Sequence, residues 1–118
     1  MKSLYERLGG SDGIRAIAKE LVALHVGNPA IATRFAASDT AQLEEAAATF
    51  FITGSGGPAV YRGKDMLAAH RGMNISAAEF LAVLDDALEA LARNGIGQRE
   101  KEEVLAILYG MKGDILHV

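Results

Sequence analysis

Apolar residues recur three and four positions apart along most of the chain, the spacing of helices that bury one face. Ile14, Ile17, Ala18, Leu21, Leu24 and His25 form the first stripe. Gly9-Gly10-Ser11-Asp12-Gly13 precedes it, with Ser11 and Asp12 as N-cap residues. Gly27-Asn28-Pro29 closes the helix, because Gly suits a C-terminal cap and Pro cannot continue the ladder. One or two helical turns fit between Pro29 and Phe35. Asp39-Thr-Ala-Gln42 reads as a capping box, followed by an apolar face of Leu43, Ala46, Ala47, Phe50 and Phe51. That helix stops at Gly54-Ser-Gly-Gly-Pro58.

The periodicity then weakens. Between Val60 and Asn74 only Met66, Ala69 and His70 share a helical turn, bracketed by Gly63 and Gly72. It returns at Ser76-Ala-Ala-Glu79, a second capping box, ahead of Phe80, Leu84, Ala87, Leu88 and Leu91. Arg93-Asn-Gly95 ends this helix. A last one starts near Gln98, with Val104, Ile107, Leu108, Met111 and Ile115 facing inward. The sum is an all-α chain of four long helices and some short ones, with no strand or repeat signal.

Composition sharpens this picture. The 118 residues fit a single domain, 1–118. Half are hydrophobic, but only 6% are aromatic and none is Trp. A small core so rich in Ala and Leu either packs its helices very closely or encloses something else. The net charge of −3 comes from interspersed acids and bases. That speaks against a nucleic-acid partner. No apolar run reaches membrane-spanning length, and the N-terminal stretch is too short for a signal peptide. With no Cys there is no disulfide, thiolate metal site or Cys nucleophile. A cytoplasmic protein is the expectation.

Three histidines carry the candidate chemistry. His117 reads as a solvated, frayed tail residue. His25 lies on an apolar stripe, where a core imidazole bonded to a carbonyl is commoner than a metal ligand. His70 has Met66 one turn before it and Ile75 and Phe80 soon after. One imidazole in an apolar setting does not suit zinc, which takes three or four protein ligands. It suits haem, whose porphyrin supplies four nitrogens and leaves the protein an axial position. The other motifs are weaker. No G-x-S-x-G elbow is present. Gly54-Ser-Gly-Gly57 lacks the Lys of a phosphate loop and follows a helix. Asp85 and Asp86 are adjacent on a helix and diverge, which argues against a shared acid/base role.

In this order and spacing, the pieces resemble the group I truncated haemoglobins from Ser3 to about Leu116. The matching residues are Leu4-Tyr-Glu-Arg-Leu-Gly-Gly10, Phe35, Phe50-Phe51, Gly56-Gly-Pro58, Tyr61-Arg-Gly63, Met66-Leu-Ala-Ala-His70, Asn74-Ile-Ser76 and Phe80. The resemblance implies a two-over-two helical sandwich around haem b, with an extended segment before the proximal His. It makes His70 the iron ligand and Phe35 the ring that stacks on haem. Met66, Ile75, Phe80, Val83 and Leu108 would line the pocket, together with Leu43 and Ala47. Lys64 would pair with a haem propionate or remain an ordinary solvated Lys.

On the distal side, formed by Val22, His25, Leu43, Ala47 and Phe50, the sequence departs from the family. Val22 stands where a Tyr is usual, and Leu43 and Ala47 where a polar residue often stands. Dioxygen on iron gains about 1.5–3 kcal/mol from a charge-assisted hydrogen bond, and no donor is evident. His25 supplies one if its helix is rotated; Thr49 is expected to face outward. The first expectation is therefore a haem protein that reversibly binds dioxygen, carbon monoxide or nitric oxide, in oxygen transport, scavenging or sensing. The alternative is a redox enzyme, a nitric oxide dioxygenase or weak peroxidase, which needs a polar distal group. A third is a cofactor-free helical module that binds proteins. The expected partners are a gas and a reductase, with the chain a monomer or weak homodimer.

Overall fold

Helix boundaries follow local capping chemistry. A computed structural model describes residues 2–118. Helix α1, Leu4–Arg7, opens with Ser3 and Glu6 in a reciprocal capping box. Helix α2, Gly10–Gly27, begins one residue before the expected caps, after Gly9 in the left-handed region at φ 100°. Ser11 does not cap; its hydroxyl lies 2.7 Å from that of Tyr5 and its N–H donates to the same oxygen. A 3-10 turn spans Ala32–Phe35. Helix α3, Thr40–Gly54, is capped by the Asp39 carboxylate, which accepts from the N–H groups of Ala41 and Gln42. Helix α4 is one short stretch, Met66–His70, capped by Asp65. Helix α5, Ala77–Arg93, carries the expected Ser76–Glu79 box in full. Helix α6 runs Gln98–Tyr109, and α7, Lys112–Ile115, follows after Gly110.

The packing makes a sandwich. Helix α2 packs on α3 and on α5, and α5 packs on α6. Ile14, Ile17 and Leu21 of α2 meet Ile52, Ala87, Ala90, Leu91 and Val104 in the main core. Each fully buried Ile or Leu stabilises the fold by about 1.5–3 kcal/mol. Helix α1 closes one end: Arg7 is bonded to Glu100 at 3.1 Å and to Glu103, and both carboxylates hold the guanidinium charged. A second, smaller cluster gathers Ile75, Phe80 and Leu84 against Leu105, Leu108, Ile115 and Leu116.

The weakly patterned stretch is irregular for the most part, from Ser55 to Asp65, and again from Arg71 to Ser76. Two expectations are corrected nearby. His117 is exposed but not frayed. Its backbone N–H donates to the Ile75 carbonyl at 3.1 Å, and its Nδ1 donates to Asn74 Oδ1 at 2.8 Å. Gly72 donates to the Val118 carbonyl at 2.9 Å, and Ile75 and Leu116 form a parallel bridge. These bonds across the chain repay the left-handed backbone of Asn74 and His117. Thr49 is buried rather than outward. Its hydroxyl donates back to the Glu45 carbonyl at 2.9 Å, which lets it face the interior without an unpaired polar atom.

Candidate functional site

A cavity of about 200 Å3, open to solvent on one side, lies between the two layers. One wall comes from the 3-10 turn and α3, through Ile31, Arg34, Phe35 and Phe50. The opposite wall comes from α4, the loop after it and α5, through Met66, His70, Met73, Ile75, Phe80 and Val83. Leu108, Met111 and Ile115 close the floor. The lining is apolar apart from His70, Arg34 and Glu79.

His70 ends the short helix α4, held by the Asp65 cap. Its Nδ1 lies 2.8 Å from the Met66 carbonyl oxygen, one turn back. A carbonyl only accepts, so Nδ1 carries the proton and Nε2 keeps its lone pair. This is the arrangement that fixes the tautomer of a metal-binding imidazole. Among the described residues, no three His, Cys, Asp or Glu side chains gather to hold a metal ion. The site thus offers one nitrogen ligand in a broad apolar cleft. That donor set fits a cofactor which brings its own equatorial ligands, and it does not fit a bare metal ion.

Arg34 and Glu79 close one part of the rim. The guanidinium donates to both Glu79 oxygens, at 2.6 and 3.0 Å, and to the Met73 carbonyl at 3.0 Å. Bonded by Arg34 and by the Ser76 N–H, the Glu79 carboxyl is pulled down to about 2. The same bond keeps Arg34 firmly charged.

The sequence-derived residues divide into two sets. Phe35, Phe50, Met66, His70, Ile75, Phe80, Val83 and Leu108 surround this one cavity. Leu43 and Ala47 are half-buried on α3 but do not line it; Phe50, one turn further along, does. Val22 is buried in α2. Lys64 is exposed, and its carbonyl accepts from the Tyr61 hydroxyl at 2.6 Å. His25 is engaged elsewhere. Its Nδ1 donates to Asp86 Oδ2 at 2.8 Å, and its ring stacks on Phe35 with centroids 5.5 Å apart. Asn28 donates to the same carboxylate at 3.2 Å. Arg34 and Glu79 were missed as lining residues: Glu79 reads in the sequence as a helix cap, and nothing in the spacing of Arg34 pairs it with a residue 45 positions away.

The bacterial-like globin family model matches residues 3–117. The group 1 truncated hemoglobin GlbN of Nostoc sp. (strain MUN 8820) is 29% identical over 117 residues, covering 99% of each chain. Its counterpart in Tetrahymena pyriformis is 24% identical over 98% of this chain and 95% of that protein. The crystal structure of the Tetrahymena pyriformis truncated hemoglobin in its Fe(III) form superposes with a TM-score of 0.95, at 24% identity, over 99% of this chain and 100% of that one. The 2/2 hemoglobin of Synechococcus sp. PCC 7002 does so with a TM-score of 0.90, at 22% identity and 98% coverage of both. A family match over nearly the whole chain, on a sandwich with one imidazole in its cleft, means that the protein belongs to the bacterial-like globins as a group 1 truncated globin.

Proposed function

We propose that the cavity holds haem b with His70 as the proximal ligand, and that the protein binds diatomic gas reversibly on the side facing Phe35 and Phe50. The observation that carries this reading is the His70 Nδ1 bond to the Met66 carbonyl, which leaves Nε2 as a free donor toward an apolar cleft. Haem, when bound, supplies the iron on which the gas is held. The chain does the rest. The Met66 carbonyl orients the imidazole and raises its basicity. Phe35 offers a flat face for stacking, while Ile75, Phe80, Val83 and Leu108 exclude water from the proximal side. Lys64 is assigned to a propionate. Of the distal set Phe50 lines the cavity, and Val22, Leu43 and Ala47 are assigned to the shell around it; none of the four offers a side-chain hydrogen-bond donor, so dioxygen is held loosely. A reductase would keep the iron ferrous.

The test is optical. Protein supplied with haem should show a Soret band, and the ferrous form should be five-coordinate, since His25 is tied to Asp86. His70→Gly should lose haem faster and recover retention with added imidazole. Full retention in His70→Gly without imidazole would remove the assignment. Rapid oxidation of nitric oxide by the oxygenated protein would replace gas binding with dioxygenase chemistry.

A further inference from the structure

Haem in this cleft would separate two walls, and only some contacts hold those walls together around it. Asn28 and His25 join α2 and its C-terminal end to α5 at Asp86, deep in the structure. At the rim the link is Arg34. It stands beside Phe35 on the 3-10 turn and reaches across to the first turn of α5 at Glu79 and to the loop after His70 at Met73. One planar guanidinium thus ties the ring that faces one side of the cleft to the segment that carries the opposite imidazole. Two parallel N–H···O bonds to a carboxylate fix orientation as well as distance. Glu79 is itself held by the Ser76 N–H at 3.1 Å, so the acceptor is anchored to the helix start.

We propose that Arg34 is a positioning residue for the cofactor: it clamps the two walls of the cleft and slows haem escape, without touching the iron. The inference rests on the haem reading above. The closed pair is electrically neutral, so this stretch of rim suits an apolar edge of the porphyrin rather than a propionate.

The experiment is transfer of haem from the ferric protein to an excess of a high-affinity apoglobin scavenger, followed by absorbance. Arg34→Met should transfer haem about two- to fivefold faster than the parent, the range of a well-oriented pair that is partly exposed. Glu79→Gln should act in the same direction, since Gln keeps the helix cap but weakens the clasp. The double variant should be no faster than the faster single one. Arg34→Lys, which keeps the charge but cannot fork, should fall between. The ferrous and carbon monoxide spectra should stay at the parent positions, because the axial ligand is undisturbed; a merely structural defect would shift them. Parent-like transfer in Arg34→Met, or additive effects of the two single substitutions, would overturn the clamp. Faster loss in Arg34→Met with slower loss in Glu79→Gln would also overturn it, and would assign Arg34 to a propionate. If Arg34→Met does not fold, the Lys variant and Glu79→Gln decide alone. A parent that shows no Soret band with haem supplied refutes the haem reading instead.

Discussion

Asp86 is the acid whose loss should cost the fold most. It is 8% exposed on α5 and faces His25, which is 9% exposed on α2. Its carboxylate accepts from His25 Nδ1 at 2.8 Å and from the Asn28 side-chain amide at 3.2 Å. Asp86→Ala removes the acceptor that both bond among the described residues, leaving the buried His25 N–H unpaired and a small void. An unpaired buried donor costs about 1–3 kcal/mol, and breaking a buried pair on one side costs about 3–5 kcal/mol. Asn28 is half-buried and regains water, so the lower figure applies: about 3 kcal/mol. With a urea slope of about 1.5 kcal/mol/M, the midpoint should fall by about 2 M. Asp86→Asn keeps an acceptor oxygen and should lose only about 1 kcal/mol. The double variant His25→Leu/Asp86→Leu removes donor and acceptor together, and should be more stable than Asp86→Ala. The assay is urea unfolding followed by circular dichroism at 222 nm. An Asp86→Ala loss below about 1 kcal/mol, or a double variant less stable than the single one, would refute the argument that the pair is a buried, mutually dependent unit.

Other consequences follow from single residues. Gly13 lies inside α2, where Gly→Ala ordinarily stabilises by about 1 kcal/mol. A Cβ there would sit 2.5 Å from the Leu8 carbonyl oxygen, so Gly13→Ala should lower the thermal midpoint instead of raising it. The Glu79 carboxyl titrates at about 2, against 4.5 when free. A depressed folded value gives stability that is present above 4.5 and lost as pH falls toward 2. Acid titration of Glu79→Gln, followed by circular dichroism, should therefore show a flatter decline across that window than the parent. If Val22 borders the gas, Val22→Tyr should slow dioxygen release by at least about tenfold while Val22→Phe does not; equal rates by flash photolysis would remove Val22 from the distal side.

Much of the fold was legible because it is local. The Ser76–Glu79 box, the Asp39 cap and the stripes of α2 and α5 depend on residues within one or two turns of each other. His70 and Met66 were legible for the same reason: their decisive bond is an i to i−4 contact. The short capping box at Ser3 carries no periodic signal, since so few residues follow it before Gly9. What the sequence could not give is partnership over distance. His25 finds Asp86 at a separation of 61 residues, and His117 finds Asn74 at 43. In the sequence His25 reads as a core imidazole with an unnamed acceptor and His117 as a solvated tail residue; neither reading identifies the partner. No periodicity argument can tell a histidine with a distant partner from one with a ligand to bind.

That distinction decides the chemistry of the cleft. The other polar side chains that line it are already paired: Arg34 bonds Glu79 and the Met73 carbonyl. Outside the lining, His25 bonds Asp86, Thr49 bonds its own helix and Tyr61 bonds the Lys64 carbonyl. Recruiting any of them to a ligand means first breaking a bond worth about as much as the one gained. His70 differs in kind. Its single internal bond uses Nδ1 and, by fixing the tautomer, makes Nε2 a better donor rather than consuming it. A cleft whose other polar groups are mutually satisfied, with one imidazole nitrogen left over, selects for a ligand that needs one axial donor and otherwise apolar walls.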